Sequence, residues 1–122
     1  MKKKIDEKKI SELTIKAKKY FPGRVEFFSQ KLDVSYGHVT IRHQKTRWGS
    51  CSTKGNLNFN CLLMLTPKYV QDYVIVHELA HRKEMNHSSD FWEIVESVIP
   101  DYKKAKRWLK ENGVELIQRM DL

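Results

Sequence analysis

The segment His77-Glu78-Leu79-Ala80-His81 constrains this chain more than any other part of its sequence. It is an H-E-x-x-H motif, and on an α-helix two histidines four positions apart lie on the same face. Both imidazoles can therefore bind one ion, while Glu78, about 100° further round the helix, can reach a water without ligating the metal. Three protein ligands and one open coordination position are typical of catalytic zinc. The motif therefore predicts a helix that carries a catalytic metal site.

The residues around the motif predict that this helix is buried. Thr66 and Pro67 form a favourable helix start, with Thr66 at the N-cap and Pro67 at the first helical position. We expect the helix to run from Pro67 to about Lys83, because apolar residues recur there at helical spacing. This apolar face consists of Tyr69, Val70, Tyr73, Val74, Val76, Leu79 and Ala80.

Spacing alone leaves the third metal ligand open. His87 follows His81 with five residues between them, as in the metzincin motif, but the glycine that metzincins carry midway is Glu84 here. Glu84 is itself an alternative ligand, because it lies three residues after His81 and carboxylates also bind zinc. Glu93 and Glu96, on the next predicted helix, are further alternatives. Ligand chemistry by itself does not choose among these residues.

Two further residues of the metal helix are candidates for supporting roles. Asp72 can accept a hydrogen bond from a ligand imidazole and so orient it, as carboxylates commonly do at metal sites. Tyr73 lies one turn before His77. Its hydroxyl can therefore assist an oxyanion, whereas a place in the core is the ordinary role of a helical tyrosine.

Length and composition indicate a single domain of ordinary globular type. The chain has 122 residues, of which 40% are hydrophobic and 31% are charged. No apolar run is long enough to span a bilayer, and no signal-peptide core follows the basic N-terminus, so we expect a cytosolic protein without membrane contact. Separately, we expect a monomer. Cys51 and Cys61 lack C-x-x-C spacing and are expected to be buried free thiols.

The net charge of +8 has different interpretations in different parts of the chain. The lysines between Lys2 and Lys19 alternate with apolar residues at helical spacing, which indicates a solvated helix face; weak attraction to nucleic acid is the alternative. Arg42, Lys45 and Arg47 lie on or between two predicted strands. They are candidate substrate contacts, and protection of an exposed strand against edge pairing is the equally ordinary alternative.

Helices are predicted on both sides of a small β region. The first helix is expected from Lys4 to Tyr20, ending at Pro22-Gly23, and a second from Arg24 to Leu32. Alternation of polar and apolar residues predicts strands at 38–43, 46–51 and 57–60.

After the metal helix, Ser88 or Ser89 can cap a helix that stops at Pro100. Asp101 can then cap a last helix that ends at Asn112-Gly113. This order predicts an α+β fold in which a small antiparallel sheet packs against the metal helix. Within one domain over 1–122, we assign 1–33 to N-terminal helices, 38–65 to the sheet and 66–113 to the metal helix and C-terminal helices.

Several separate motifs together resemble one known family. They are Arg47-Trp48-Gly49-Ser50-Cys51-Ser52, Gly55, Asn60, the run from Asp72 to His81, Asn86-His87-Ser88 and Phe91-Trp92. In these motifs the chain resembles the YgjP-like metal-dependent hydrolases, which are grouped with the zincin metallopeptidases and are similar to the SprT-like proteases. The likeness extends over nearly the whole chain.

The resemblance implies a minimal zincin fold with the site in a cleft between the sheet and the metal helix. It implies His77, His81 and His87 as ligands of one Zn²⁺ per chain, with other divalent metals possible, and Glu78 as the general base. The implied function is a metallopeptidase acting on peptides. Hydrolysis of nucleoside triphosphates such as UTP is the alternative, and a DNA-associated SprT-like protease domain is a further one.

Overall fold

The computed structural model describes residues 4–119, which form four α-helices and a three-stranded sheet. In chain order these are α1 (Glu7–Leu32), β1 (Val39–Arg42), β2 (Gly49–Cys51), β3 (Leu57–Asn60), a 3-10 helix (Cys61–Leu65), α2 (Lys68–Ala80), α3 (Ser89–Val98) and α4 (Tyr102–Gln118). The predicted α+β class is confirmed, while the assignment of 1–122 to one domain stays a prediction. Within the described residues, no helix has the length and apolar character needed to cross a membrane.

The N-terminal region is one continuous helix, so the predicted break at Pro22-Gly23 is wrong. Pro22 is exposed and lies inside α1, and the apolar spacing of three to four residues continues past it. Burying large apolar side chains contributes about 1.5–3 kcal/mol each, which together exceeds the roughly 3 kcal/mol cost of an internal proline. The buried face consists of Leu13, Ala17, Phe21, Val25, Phe28 and Leu32.

The sheet is mixed, so the prediction of an antiparallel sheet is wrong for β1. Its strand order is β1-β3-β2. β2 and β3 pair antiparallel because a short turn joins them, whereas β1 lies on the other side of β3 and pairs with it in parallel. The Asn60 side-chain amide donates to the carbonyls of Gln44 and Arg47 at 2.8 and 2.9 Å. These bonds hold the loop that carries the chain from β1 across to β2.

α2 lies at the centre of the molecule and contacts α1, α3, α4 and β2. It begins one residue later than predicted, with Pro67 at the N-cap. The Thr66 hydroxyl does not cap it, because it donates to the Leu63 carbonyl at 2.6 Å. The helix ends at Ala80 rather than near Lys83, and His81 is its C-cap residue. The H-E-x-x-H motif therefore occupies the final turn of a buried helix.

The C-terminal helices differ in how well their ends were predicted. Ser88 caps α3, since its hydroxyl accepts a hydrogen bond from the Phe91 amide. α4 continues past Asn112-Gly113, so the predicted end there is wrong. Gly113 is buried in this helix, and a Cβ at this position would lie 3.3 Å from Nε1 of Trp48. This glycine permits close packing against the β2 side of the molecule instead of ending the helix.

Candidate metal centre

Three histidines converge at the end of α2. His77 and His81 come from its final turn, and His87 comes from the loop between α2 and α3. The ring centroids are 5.0 Å apart for His77–His81 and His77–His87, and 4.8 Å apart for His81–His87. One ligand atom from each ring lies within 4.8 Å of the others. Histidine, cysteine and acidic side chains are the usual metal ligands. Within residues 4–119, these three histidines are the one set of at least three such side chains that lie close enough together to hold a metal ion.

Hydrogen bonds orient the two histidines of the helix. Nδ1 of His81 is 3.0 Å from the carbonyl oxygen of Glu84, to which it donates when it carries the ring proton. Its Nε2 is then the atom free to bind a metal, as is usual for metal-ligating histidines. Nδ1 of His77 lies 3.0 Å from Oε2 of Glu78. Both rings are therefore held in place by neighbouring residues of the chain.

His87 is exposed and is surrounded by aromatic rings instead. Its ring centroid lies 4.9 Å from that of Phe91 and 6.0 Å from that of Trp92, with the indole nearly parallel to it at 26°. Partial burial lowers the pKa of His87, and the neighbouring His77 and His81 lower it further. Glu78 acts in the opposite direction and raises this pKa, but the net shift is downward. A lower pKa favours the neutral imidazole, which is the form that binds a metal.

Phe91, in the first turn of α3, forms the apolar base of the site. It is fully buried, and its ring centroid lies 5.1, 4.5 and 4.9 Å from those of His77, His81 and His87. An apolar wall at this position keeps water away from one side of the three imidazoles.

The alternative ligands considered from the sequence lie apart from this cluster. Glu84 points toward Ser88, whose hydroxyl donates to its carboxylate at 3.4 Å, and its backbone carbonyl faces His81. Glu93 and Glu96 are exposed on α3.

Both cysteines are free, Cys61 buried and Cys51 half-buried. Burial raises the pKa of Cys51, and the nearby Glu78 raises it further.

A cleft of about 290 Å³ opens beside His77 and Glu78. One wall is the segment 46–49 that leads into β2, and the other is α2 from Tyr73 to Glu78, with Leu109 of α4 at one side. A Cβ at Gly49 would lie 3.1 Å from both Cγ of Glu78 and Cγ1 of Val74. The missing side chain therefore lets β2 approach α2 closely. Glu78 itself is only 6% exposed.

The structure brings one of the three predicted substrate-binding cations to this cleft. Arg47 lines it, whereas the guanidinium of Arg42 donates to Oδ1 of Asn58 on the sheet at 2.9 Å. Lys45 lines a neighbouring cavity of about 550 Å³ between Trp48 and α4. The three side chains therefore do not form a single cationic cluster.

The two supporting candidates on α2 have different surroundings. Asp72 accepts hydrogen bonds from the Arg24 guanidinium of α1 at 3.3 and 3.0 Å, so the hypothesis that it orients a ligand imidazole is wrong. Tyr73 is 6% exposed and lines the cleft next to His77 and Glu78. Burial raises the pKa of Tyr73 most, and the nearby Glu78 and Tyr102 raise it further. The hydroxyl of Tyr73 therefore stays protonated.

Three residues near the site were not identified from the sequence. Arg82 joins the end of α2 to two loops, because its guanidinium donates to the carbonyls of Ser35 and Thr53 at 2.8 and 3.3 Å. Tyr102 and Lys106 of α4 contact Trp92. Their spacing of four residues was the available signal, since it places both on one helix face. The partners of Arg82 are backbone carbonyls, which leave no pattern in a sequence.

Comparison with known proteins agrees with this geometry. The family described as "YgjP-like, metallopeptidase domain" matches residues 2–112. Among solved structures, the chain is similar to the metallopeptidase zymogen abylysin of Pyrococcus abyssi, with 28% identity and a TM-score of 0.66 over 74% of this chain and 92% of that one. No curated protein matches the sequence significantly. The predicted zincin-like fold is thereby confirmed. The chain belongs to the YgjP-like metallopeptidase family and is a metal-dependent hydrolase.

Proposed function

We propose that this protein is a zinc metallopeptidase that hydrolyses peptide bonds in the cleft between β2 and α2. Its metal ligands are His77, His81 and His87, and its general base is Glu78. The convergence of three imidazoles at the end of α2, where His77 and Glu78 line an open cleft, carries this proposal. Family membership supports peptide as the substrate class.

The donor set fits zinc. Imidazole nitrogens are good zinc ligands, and three of them leave the open coordination position that a catalytic site needs. The Glu84 carbonyl beside Nδ1 of His81 is the kind of partner that orients a zinc ligand. When bound, zinc acts as a Lewis acid that lowers the pKa of a water and polarises a carbonyl. Three imidazoles also accept other divalent metals, and zinc is proposed because histidine is among its preferred ligands.

Glu78 is the proton-transfer group in this proposal. Its carboxylate lies between Gly49 of β2 and the imidazole of His77, on the cleft wall. From there it takes a proton from the attacking water and then returns a proton to the leaving amine. Its low exposure keeps bulk water from competing for that proton.

The edge of the sheet provides a surface for an extended peptide. β2 is one of the two outer strands in the order β1-β3-β2, and within the described residues no further strand pairs with its free edge. A peptide can add to such an edge through main-chain hydrogen bonds, which bind it largely independently of its sequence. Because Gly49 brings β2 close to Glu78, a peptide held there passes beside the general base.

The decisive experiment compares the zinc-loaded wild type with Glu78→Gln on an unfolded polypeptide. We expect Glu78→Gln to bind zinc stoichiometrically and to lose about 10²- to 10⁴-fold in cleavage rate, because it cannot accept a proton. Glu84→Gln is the matched control, since its carboxylate contacts Ser88 rather than the cleft. Cleavage at the wild-type rate by Glu78→Gln would refute the assignment of the general base.

Hydrolysis of nucleoside triphosphates is the second candidate, favoured by the position of Arg47 on the cleft wall. Guanidinium groups bind phosphate oxygens well, but phosphoryl transfer needs several positive charges around the phosphates. Arg42 and Lys45 are directed elsewhere, which weighs against this candidate. This candidate would be selected if the protein released phosphate or pyrophosphate from UTP without cleaving peptide. That release should be lost in Glu78→Gln and reduced in Arg47→Gln.

DNA association, a monomeric state and a cytosolic location stay predictions.

A further inference from the structure

We propose that Trp92 is the positioning residue for the third metal ligand. Its indole holds the His87 imidazole in the ligating orientation and is itself held by Tyr102 and Lys106 of α4. The inference rests on the proposed function, because it takes His87 as a ligand.

His87 needs an orienting partner that the other two ligands already have. Nδ1 of His77 and Nδ1 of His81 each lie 3.0 Å from an oxygen. The His87 ring forms no such hydrogen bond with any residue between 4 and 119, and it is exposed on a loop. A metal-ligating histidine is normally oriented by a hydrogen bond to its second ring nitrogen. Some other contact must therefore restrict the rotation of this ring.

Trp92 provides that contact. Its ring lies nearly parallel to that of His87, at 26° with centroids 6.0 Å apart. It also meets the His77 ring edge to face, at 62° and 5.9 Å. A large flat side chain in contact with two of the three imidazoles constrains the angle between them. Phe91 adds an edge contact to His87 at 4.9 Å, but its ring is nearly perpendicular, at 83°.

Helix α4 in turn holds the indole. The ring of Tyr102 stacks on Trp92 at 17° and 5.1 Å, and Nζ of Lys106 lies 4.3 Å from the centroid of a Trp92 ring. Offset stacking and a cation over an indole are both favourable arrangements. Because Tyr102 and Lys106 are one helical turn apart, both reach Trp92 from the same face. A helix that supplies no ligand is thereby connected to the metal centre.

The test measures zinc affinity of the full chain by competition with a chelating dye. We expect Trp92→Leu, which keeps an apolar side chain but removes the plane, to weaken zinc binding about 10- to 100-fold, as loss of an orienting partner does elsewhere. Trp92→Phe should restore most of the affinity. The visible spectrum of the cobalt-loaded protein should change in Trp92→Leu, because it reports the arrangement of the ligands.

Two controls separate positioning from general stability. Trp108→Leu removes another partly buried tryptophan, one without ring contact to a ligand histidine, and should leave zinc affinity and the cobalt spectrum unchanged. Tyr102→Leu removes the neutral ring that stacks on the indole; it should weaken zinc binding slightly in the wild type and have no effect in Trp92→Leu, since it acts through Trp92. Thermal unfolding of each metal-free variant shows whether it folds.

Wild-type zinc affinity and an unchanged cobalt spectrum in Trp92→Leu would overturn the inference, as would equal losses in Trp92→Leu and Trp92→Phe. A wild-type protein that binds no zinc would instead refute the proposed function, and this inference with it. The wild-type titration therefore distinguishes the two failures.

Discussion

Two of the three proposed metal ligands lie on a buried helix, and the third lies on an exposed loop. His77 and His81 occupy the final turn of α2, whose neighbouring residues Val76, Leu79 and Ala80 are fully buried. His87 belongs to the loop before α3, where the flanking Met85 is 49% exposed. The helix holds its two imidazoles through backbone geometry, whereas the loop depends on side chains from α3 and α4. The comparison shows that one metal site can combine two parts: a helical half, His77 and His81, fixed by the backbone of α2, and a loop half, His87, held in place by side chains of other helices.

The largest expected effect comes from removing a ligand from each half. We expect His81→Ala to abolish stoichiometric zinc binding, because the two remaining ligands, His77 and His87, lie on different elements, and His87 is on an exposed loop. His87→Ala should retain weak binding, since His77 and His81 remain on one helix face. Zinc titration with a competing chelator measures both. Tighter binding by His81→Ala than by His87→Ala would contradict the distinction between the two halves.

Truncations of apolar side chains sharpen the comparison at the level of stability. Leu79→Ala removes a fully buried side chain from α2 and should cost about 2–5 kcal/mol of unfolding free energy through loss of burial and an unfilled cavity. Met85→Ala, in the exposed loop, should change it by less than about 0.5 kcal/mol. Urea unfolding of the metal-free variants measures both values. Similar losses in the two variants would show that the loop is as tightly packed as the helix.

A smaller loss of stability than that of Leu79→Ala is expected at the point where the loop joins α3. The Ser88 hydroxyl accepts a hydrogen bond from the Phe91 amide at 3.4 Å and caps this helix. Ser88→Ala should therefore lower the unfolding free energy by about 1 kcal/mol. Ser89→Ala is the matched control, because Ser89 is exposed and lies in the helix rather than at its cap. Equal stability of the two variants in urea unfolding would mean that the cap contributes nothing.

Local patterns predicted much of the fold correctly. The period-two alternation at 57–60 corresponds to β3, and the Ser88 cap begins α3 as expected. Proline and glycine were wrong as signals of a helix end at Pro22 and Gly113, which both lie inside helices. At each position, burial of neighbouring apolar residues outweighs the local preference of the backbone. The parallel pairing of β1 was also missed, because strand order depends on the path of the connecting loop.

By itself, the sequence determined the α+β class, the helix with its two histidines and the general-base candidate. These follow from spacing along one helix, which needs no knowledge of the rest of the chain. Spacing left the third ligand open and the family resemblance implied His87, which the structure brings to that helix. Tertiary structure alone decided that Arg47 rather than Arg42 or Lys45 lines the cleft, and that Trp92 stacks on His87. Such contacts join residues on different elements, and their geometry is set by how the elements pack rather than by any local period.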